Sequence, residues 1–279
     1  MIEKNNKQVV VVVPVYKEAL NEFENISLKQ LYRMLGNYDI VFVAPETLQG
    51  KLGVTEKKCV EYFSDSFFVS TEAYSKLCLS EEFYKRFFVY EYMLLYQLDA
   101  FVFSDRLLEF CNFGYDYIGA PLPRGADYWH ELKARVGNGG VSLRRIDSAI
   151  RILQDREYIS KRISCVVPNF YKYEDLFWGY CGACVDIEFS CAPVALAKRF
   201  SMEHDIGHAF RKFPDGLPFG CHAWNKVNCD YWYSIIQQYG YKMPYKLEQY
   251  STSRLRHHIV NVYLRKRKQR ISAITNEIL

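Results

Sequence analysis

The chain has 279 residues, 49% hydrophobic, 16% aromatic and 24% charged, with a formal net charge of +4. That is enough apolar material for one large core or two small ones, and the composition is ordinary for a globular chain. No run approaches the ~20 apolar residues of a membrane span, and Val9–Val15 is too short and too early broken by Pro14 for a signal peptide. Nine cysteines, an odd number without an export signal, lead us to expect reduced thiols and a cytoplasmic location.

Lys7–Val15, KQVVVVVPV, is a continuous β-branched run, which predicts a strand buried on both faces of a parallel sheet. Tyr16, Lys17 and Glu18 follow at its carboxyl end, where open α/β sheets bind ligands. Asn25–Leu35 carries apolar residues at helical spacing, and Tyr38–Val43 reads as a second strand. The resulting β-α-β unit has neither G-x-G-x-x-G nor a P-loop, so phosphates would be met by a metal or basic side chains. Val54–Ser70 predicts a short helix and a strand at Phe67–Val69. Ser80 is a predicted N-cap, with Glu81 and Glu82 in the first turn.

The stretch YEYMLLYQLDAFVF, Tyr90–Phe103, predicts two buried strands around Gln97, Leu98 and Asp99. A carboxylate between buried strands is costly unless a metal or hydrogen bonds hold it, although a capping or salt-bridged Asp would look the same. Leu107–Phe110 reads as a helix, Asp116–Pro121 as a strand and Leu122–Val136 as an irregular loop that includes His130. In the run from Gly137 to Arg145, GNGGVSLRR, Gly139 and Gly140 would let a ligand approach the backbone, or form a plain tight turn. Asp147 is expected to cap a helix over Ser148–Gln154.

Glu174 and Asp175 precede Leu176-Phe177-Trp178, which predicts two acids at a helix N-terminus, where an ionised carboxylate can act as base or merely cap. Cys181-Gly-Ala-Cys184 lacks a second pair for zinc and reads as inert. Val194–Phe200 reads as a helix. His222, in PFGCHAW, is a metal-ligand candidate or a hydrogen-bonded structural histidine. From about Ser253 the pattern is helical and basic. Arg254, Arg256, Arg265, Lys266, Arg267, Lys268 and Arg270 turn a body of net −3 into the +4 of the whole. Such a tail suits an anionic membrane surface, nucleic acid or plain solvent. The expected division is a domain over residues 1–250 and a tail over 251–279.

In order, VVVPVYKE, YQLDAFVF, GYDYIGAP, GNGGVSLRR, EDLFW and PFGCHAW resemble GT-A glycosyltransferases. More closely they are similar to a bacterial family of glycosyltransferase-like proteins first catalogued as a domain of unknown function. The resemblance spans about Gln8 to Trp224 and implies an α/β, Rossmann-like GT-A domain with a mixed, mostly parallel sheet. It implies an inverting hexosyltransferase that takes a sugar from a nucleotide-diphosphate sugar, a UDP-sugar first, to a glycan or lipid-linked hydroxyl. Bacterial polysaccharide synthesis at the inner membrane face is the implied setting, and no nucleic acid is expected as partner. Pro14, Val15, Tyr16 and Glu18, with Gln97, Leu98, Asp99, Gly139 and Gly140, would hold the donor. Asp99 and His222 would ligate Mn2+ or Mg2+, loosely, because Gln97 or Phe101 stands where a second acid is usual. Asp175 would be the base, Glu174 would bind a sugar hydroxyl or support Asp175, and His130 is the rival base. The alternatives are a nucleotidyltransferase, disfavoured because Lys17 alone is basic near the first turn, and a nucleotide- or nucleic-acid-binding module without catalysis.

Overall fold

The computed structural model describes residues 7–53, 59–123, 130–204, 206 and 216–244. The expected basic tail at 251–279 and the start of the helix expected from Val54 lie outside them. The chain divides into two compact units, Met1–Ala223 and Trp224–Leu279. In the second, the described part holds an α-helix, Cys229–Ile236, followed by a 3-10 turn, Gln237–Tyr239, with the Tyr233 ring edge-on to Trp224 at 5.9 Å.

The first unit is built on a six-stranded sheet. Strands β1 (Lys7–Pro14), β2 (Asp39–Pro45), β3 (Cys59–Phe63), β4 (Tyr90–Tyr96), β6 (Tyr117–Ile118) and β7 (Val141–Arg145) run in the order β3-β2-β1-β4-β7-β6. β3, β2, β1 and β4 are mutually parallel, and β7 is antiparallel to both its neighbours. The valine run of β1 lies at the middle of this sheet, with Val12 opposite Val41 on one side and Leu95 on the other.

Side-chain alternation sends β1 into two cores. Val10 and Val12 pack on one face beneath α2 (Thr71–Cys78), α3 (Glu81–Lys85), α5 (Ile146–Gln154), α6 (Arg156–Val166) and α7 (Glu174–Ala183). Val9, Val11 and Val13 pack on the other, against α1 (Glu22–Leu35), α4 (Leu107–Asn112) and α8 (Val194–Phe200). A capping box opens α1: Asn21 Oδ1 accepts from the Glu24 N–H, and Glu24 accepts from the Asn21 N–H. A second sheet of three short strands, β5 (Phe101–Val102), β9 (Gly220–Cys221) and β8 (Ser201–Met202), continues from the end of β4. This is the expected mixed, mostly parallel α/β architecture. Among the described residues no helix is long and apolar enough to cross a membrane.

Two local expectations are corrected. Phe67–Val69 is not a strand: Asp65–Phe68 is a 3-10 turn, and the strand is Cys59–Phe63, paired from Val41↔Cys59 to Pro45↔Phe63. Short apolar runs cannot be assigned from periodicity alone, and here both phenylalanines reach the core from a turn. Asp147 is not a cap, because β7 passes directly into α5 at Ile146 and the extended Arg145 takes the cap position. Ser80 does cap α3, accepting from the Phe83 N–H.

Candidate active site

The carboxyl ends of β1 and β4 open on the same edge of the sheet, and the antiparallel β7 begins there, with Tyr96 opposite Val141. The Gln97 N–H donates to the Gly140 carbonyl at 2.9 Å, one residue beyond that pairing. The chain then turns tightly, the Ala100 N–H donating to Gln97 O at 2.9 Å. The Tyr96 hydroxyl, which donates to Ala100 O at 2.9 Å, pins the turn from below. Leu98 points into the core, while Gln97 and Asp99 stay partly accessible.

His222 arrives from β9. Its Nε2 lies 3.0 Å from Asp99 Oδ1 and 3.1 Å from Gln97 Oε1, and its Nδ1 lies 2.8 Å from Glu203 Oε2. Burial works to lower the imidazole pKa, but the hydrogen bonds to Asp99 and Glu203 outweigh it and push it up to about 9. Glu203, at the end of β8, went unassigned in the sequence because nothing near it in the chain marks it. Only the β8–β9 pairing brings it to His222.

The donor set can be tested against a divalent ion. Among the described residues no three Asp, Glu, His or Cys side chains form a metal cage. Asp99 Oδ1 and Gln97 Oε1 nevertheless both approach His222 Nε2, each at about the ~3 Å expected between adjacent ligands of an ion bound at ~2.1 Å. One carboxylate, one neutral amide oxygen and one imidazole fit a hard divalent ion that completes its shell with ligand oxygens.

The glycine pair has a different duty from the one expected. A Cβ on Gly139 would stand 1.7 Å from Glu174 Oε1, and one on Gly140 2.0 Å from His222 Nε2. The space beside these glycines is filled by protein side chains rather than left for sugar and acceptor.

Glu174 and Asp175 open α7, as their spacing predicted. Glu174 is buried on Arg144, with Nη2 3.0 Å from Oε1 and 2.8 Å from Oε2. Arg144 also donates to the Tyr84 hydroxyl at 2.9 Å and the Ser142 hydroxyl at 3.0 Å. Glu174 therefore anchors the start of α7; it is not turned outward to take a sugar hydroxyl. Asp175, next to it, is only partly buried. Burial foremost, then the Glu174 charge, raises its carboxyl to about 6, against the Leu176 N–H and Arg144. The charge of Glu203 adds a smaller push.

At the end of β1, Pro14 and Val15 are buried, and the Val15 N–H donates to Val43 O at 2.8 Å. Tyr16 and Glu18 face solvent, with Lys17 Nζ 5.9 Å from the Tyr16 ring centre and 2.7 Å from Glu24. His130 is exposed. Cys181 is buried with its thiol pKa raised by burial, which keeps it protonated.

Residues 57–222, more than half of the chain, match the model of a family described as a protein of unknown function (DUF5672). The chain belongs to that family. No curated protein matched this DUF5672 chain. Among solved structures, it is similar to galactosyltransferase LgtC in complex with donor and acceptor sugar analogs. The identity is 12% over 86% of this chain and 98% of that one, with a TM-score of 0.52. An active-site mutant of LgtC shares 16% identity over 76% of this chain and 86% of that one, at a TM-score of 0.51. Mouse xyloside xylosyltransferase 1, in its apo form, shares 14% identity over 80% of this chain and 99% of that one, at 0.50. At this identity the likeness is one of fold.

Proposed function

We propose that this chain is a glycosyltransferase that moves a sugar, with inversion, from a nucleotide-diphosphate sugar to a hydroxyl of a glycan or lipid-linked acceptor. A UDP-sugar is the first donor to test, and bacterial glycan or polysaccharide synthesis is the setting. The observation that carries this reading is the convergence of Gln97 and Asp99 on His222 at the ligand edge of a GT-A sheet, beside the Asp175 carboxyl at the head of α7, whose pKa is raised to about 6.

Each residue has a part in that chemistry. The backbone at Pro14 and Val15, with the exposed Tyr16 and Glu18, would meet base and ribose. Asp99, His222 and the Gln97 amide would hold Mn2+ or Mg2+, which when bound neutralises charge on the leaving diphosphate. Asp175 takes the proton of the acceptor hydroxyl as its oxygen attacks the anomeric carbon from the far face. The bond from that carbon to the diphosphate oxygen breaks, and the electron pair leaves with the diphosphate. Glu174, tied to Arg144, keeps Asp175 at the head of α7. The basic segment over 251–279 would hold the enzyme at an anionic inner-membrane surface, beside lipid-linked acceptors.

A thermal-shift screen of nucleoside diphosphates and nucleotide sugars, with and without Mn2+, tests the reading. A ligand at a hundredfold excess over its Kd adds about 2.7 kcal/mol of stability. A rise with one base, larger with Mn2+, is expected. No rise with any nucleotide would overturn the reading in favour of a module without catalysis. Anomeric proton NMR of the product from the donor so identified then decides inversion.

A further inference from the structure

Glu203 belongs to no motif in the sequence, yet it is the most closely held carboxylate around His222. β8 and β9 are parallel, Ser201 opposite Gly220 and Met202 opposite Cys221. The next step of that register sets Glu203 beside His222, and the His222 N–H donates to Met202 O at 3.1 Å. Glu203 Oε2 lies 2.8 Å from His222 Nδ1 and also accepts from the Asn138 side-chain amide, while His204 Nε2 is 3.3 Å from Oε1.

An imidazole can present either nitrogen to a ligand, and what the other nitrogen meets decides which. The Glu203 carboxylate oxygen at Nδ1 requires a proton there, and in the metal-free protein the Asp99 carboxylate oxygen takes an N–H from Nε2 in the same way. With Nδ1 held by Glu203, Nε2, turned to Gln97 and Asp99, is the nitrogen that would face an ion. Asn138 braces the carboxylate from the other side. Its backbone is left-handed, at φ 54, a conformation asparagine tolerates better than most side chains. Each of the last three positions of the Gly137–Gly140 stretch thus answers to one side chain: Asn138 to Glu203, Gly139 to Glu174, Gly140 to His222.

We propose that Glu203 is a positioning residue that fixes the His222 ring with Nδ1 as its proton donor and Nε2 facing Gln97 and Asp99. The orientation is a property of the metal-free protein. Its consequence for Mn2+ rests on the site reading above.

The test joins two measurements on the full chain. The first is the His222 ring Nδ1–H resonance in 15N-labelled metal-free protein, assigned to His222 by its loss in His222→Asn and told apart from Nε2–H by the two-bond couplings of each ring nitrogen to the ring carbon protons. The second is Mn2+ affinity by electron paramagnetic resonance in the presence of UDP. The Nδ1–H signal should exchange slowly in wild type, disappear in Glu203→Ala and persist in Glu203→Gln, which keeps an acceptor oxygen. Mn2+ affinity should fall about 10–100-fold in Glu203→Ala, with Glu203→Gln between the two. Should Glu203→Ala not fold, the Glu203→Gln signal and affinity carry the comparison with wild type. An unchanged signal in Glu203→Ala, or a lost signal with unchanged Mn2+ affinity, would overturn the proposal. If wild type itself binds no Mn2+, the metal reading fails, and the ring signal alone decides the role of Glu203.

Discussion

His222 lies against the bare backbone of Gly140: a Cβ there would stand 2.0 Å from Nε2 and 2.1 Å from Cδ2. Gly140→Ala must therefore push the ring away from Asp99 and Gln97. A misplacement near 1 Å costs about 10²-fold in rate. We expect the variant to fold and to lose about that much kcat/KM, with weaker Mn2+ and nucleoside diphosphate binding by calorimetry. Unchanged affinity for both would remove His222 from the donor site.

The two acids that open α7 should separate stability from activity. Glu174→Ala strands Arg144 as a buried cation, and losing one partner of a buried pair costs roughly 3–5 kcal/mol. Asp175→Asn removes a charge that burial penalises, so its urea midpoint should equal or exceed that of wild type. Its turnover should drop by about 10²–10⁴-fold, the usual worth of a general base. A stable, fully active Asp175→Asn would exclude Asp175 as base.

The same carboxyl sets a pH dependence. Its folded pKa, about 6, lies above the ordinary aspartate value of 3.8. Between those values the folded state holds the extra proton, so the stability it contributes is complete below about 3.8 and is lost as pH rises through about 6. The difference is roughly 2–3 kcal/mol at most. Denaturation midpoints of wild type and Asp175→Asn should thus lie closest near pH 4, separate as pH rises toward 6 and keep a constant gap above it, with wild type the less stable. Activity runs the other way, because only the ionised form accepts the acceptor proton: kcat/KM should climb as pH passes about 6. A profile flat across that range would point to another base.

Much of this arrangement is written locally in the chain, and the rest is not. The valine run of β1 and the acids at the start of α7 are legible because burial on two faces and helix-dipole preference act on neighbouring residues. The meaning of Gly139 and Gly140 is not legible, because the side chains that fill their space come from α7 and β9. Nothing around Arg144 in the chain marks it as buried, because its partner Glu174 stands 30 positions away. Glu203 is hidden for the same reason: its register with His222 exists only once β8 and β9 pair. Phe67 and Phe68 mislead because an apolar pair reaches the core as well from a 3-10 turn as from a strand.

Gln97 offers the most direct probe of the ion. Its Oε1 sits 3.1 Å from His222 Nε2, on the side shared with Asp99, and contributes a neutral oxygen where a second carboxylate would bind a hard cation more tightly. With a single carboxylate among the three converging donors, the ion should depend on diphosphate oxygens for much of its affinity. Gln97→Glu supplies the missing charge at nearly the same shape. It should raise Mn2+ affinity in the absence of nucleotide by about tenfold or more, about 1.4 kcal/mol. It should also shrink the further gain that UDP brings, since the added carboxylate competes for the positions the diphosphate fills. Electron paramagnetic resonance titrations of Mn2+ into wild type and Gln97→Glu, each with and without UDP, measure both quantities. Equal Mn2+ affinity in the two proteins would show that the ion does not sit against Gln97.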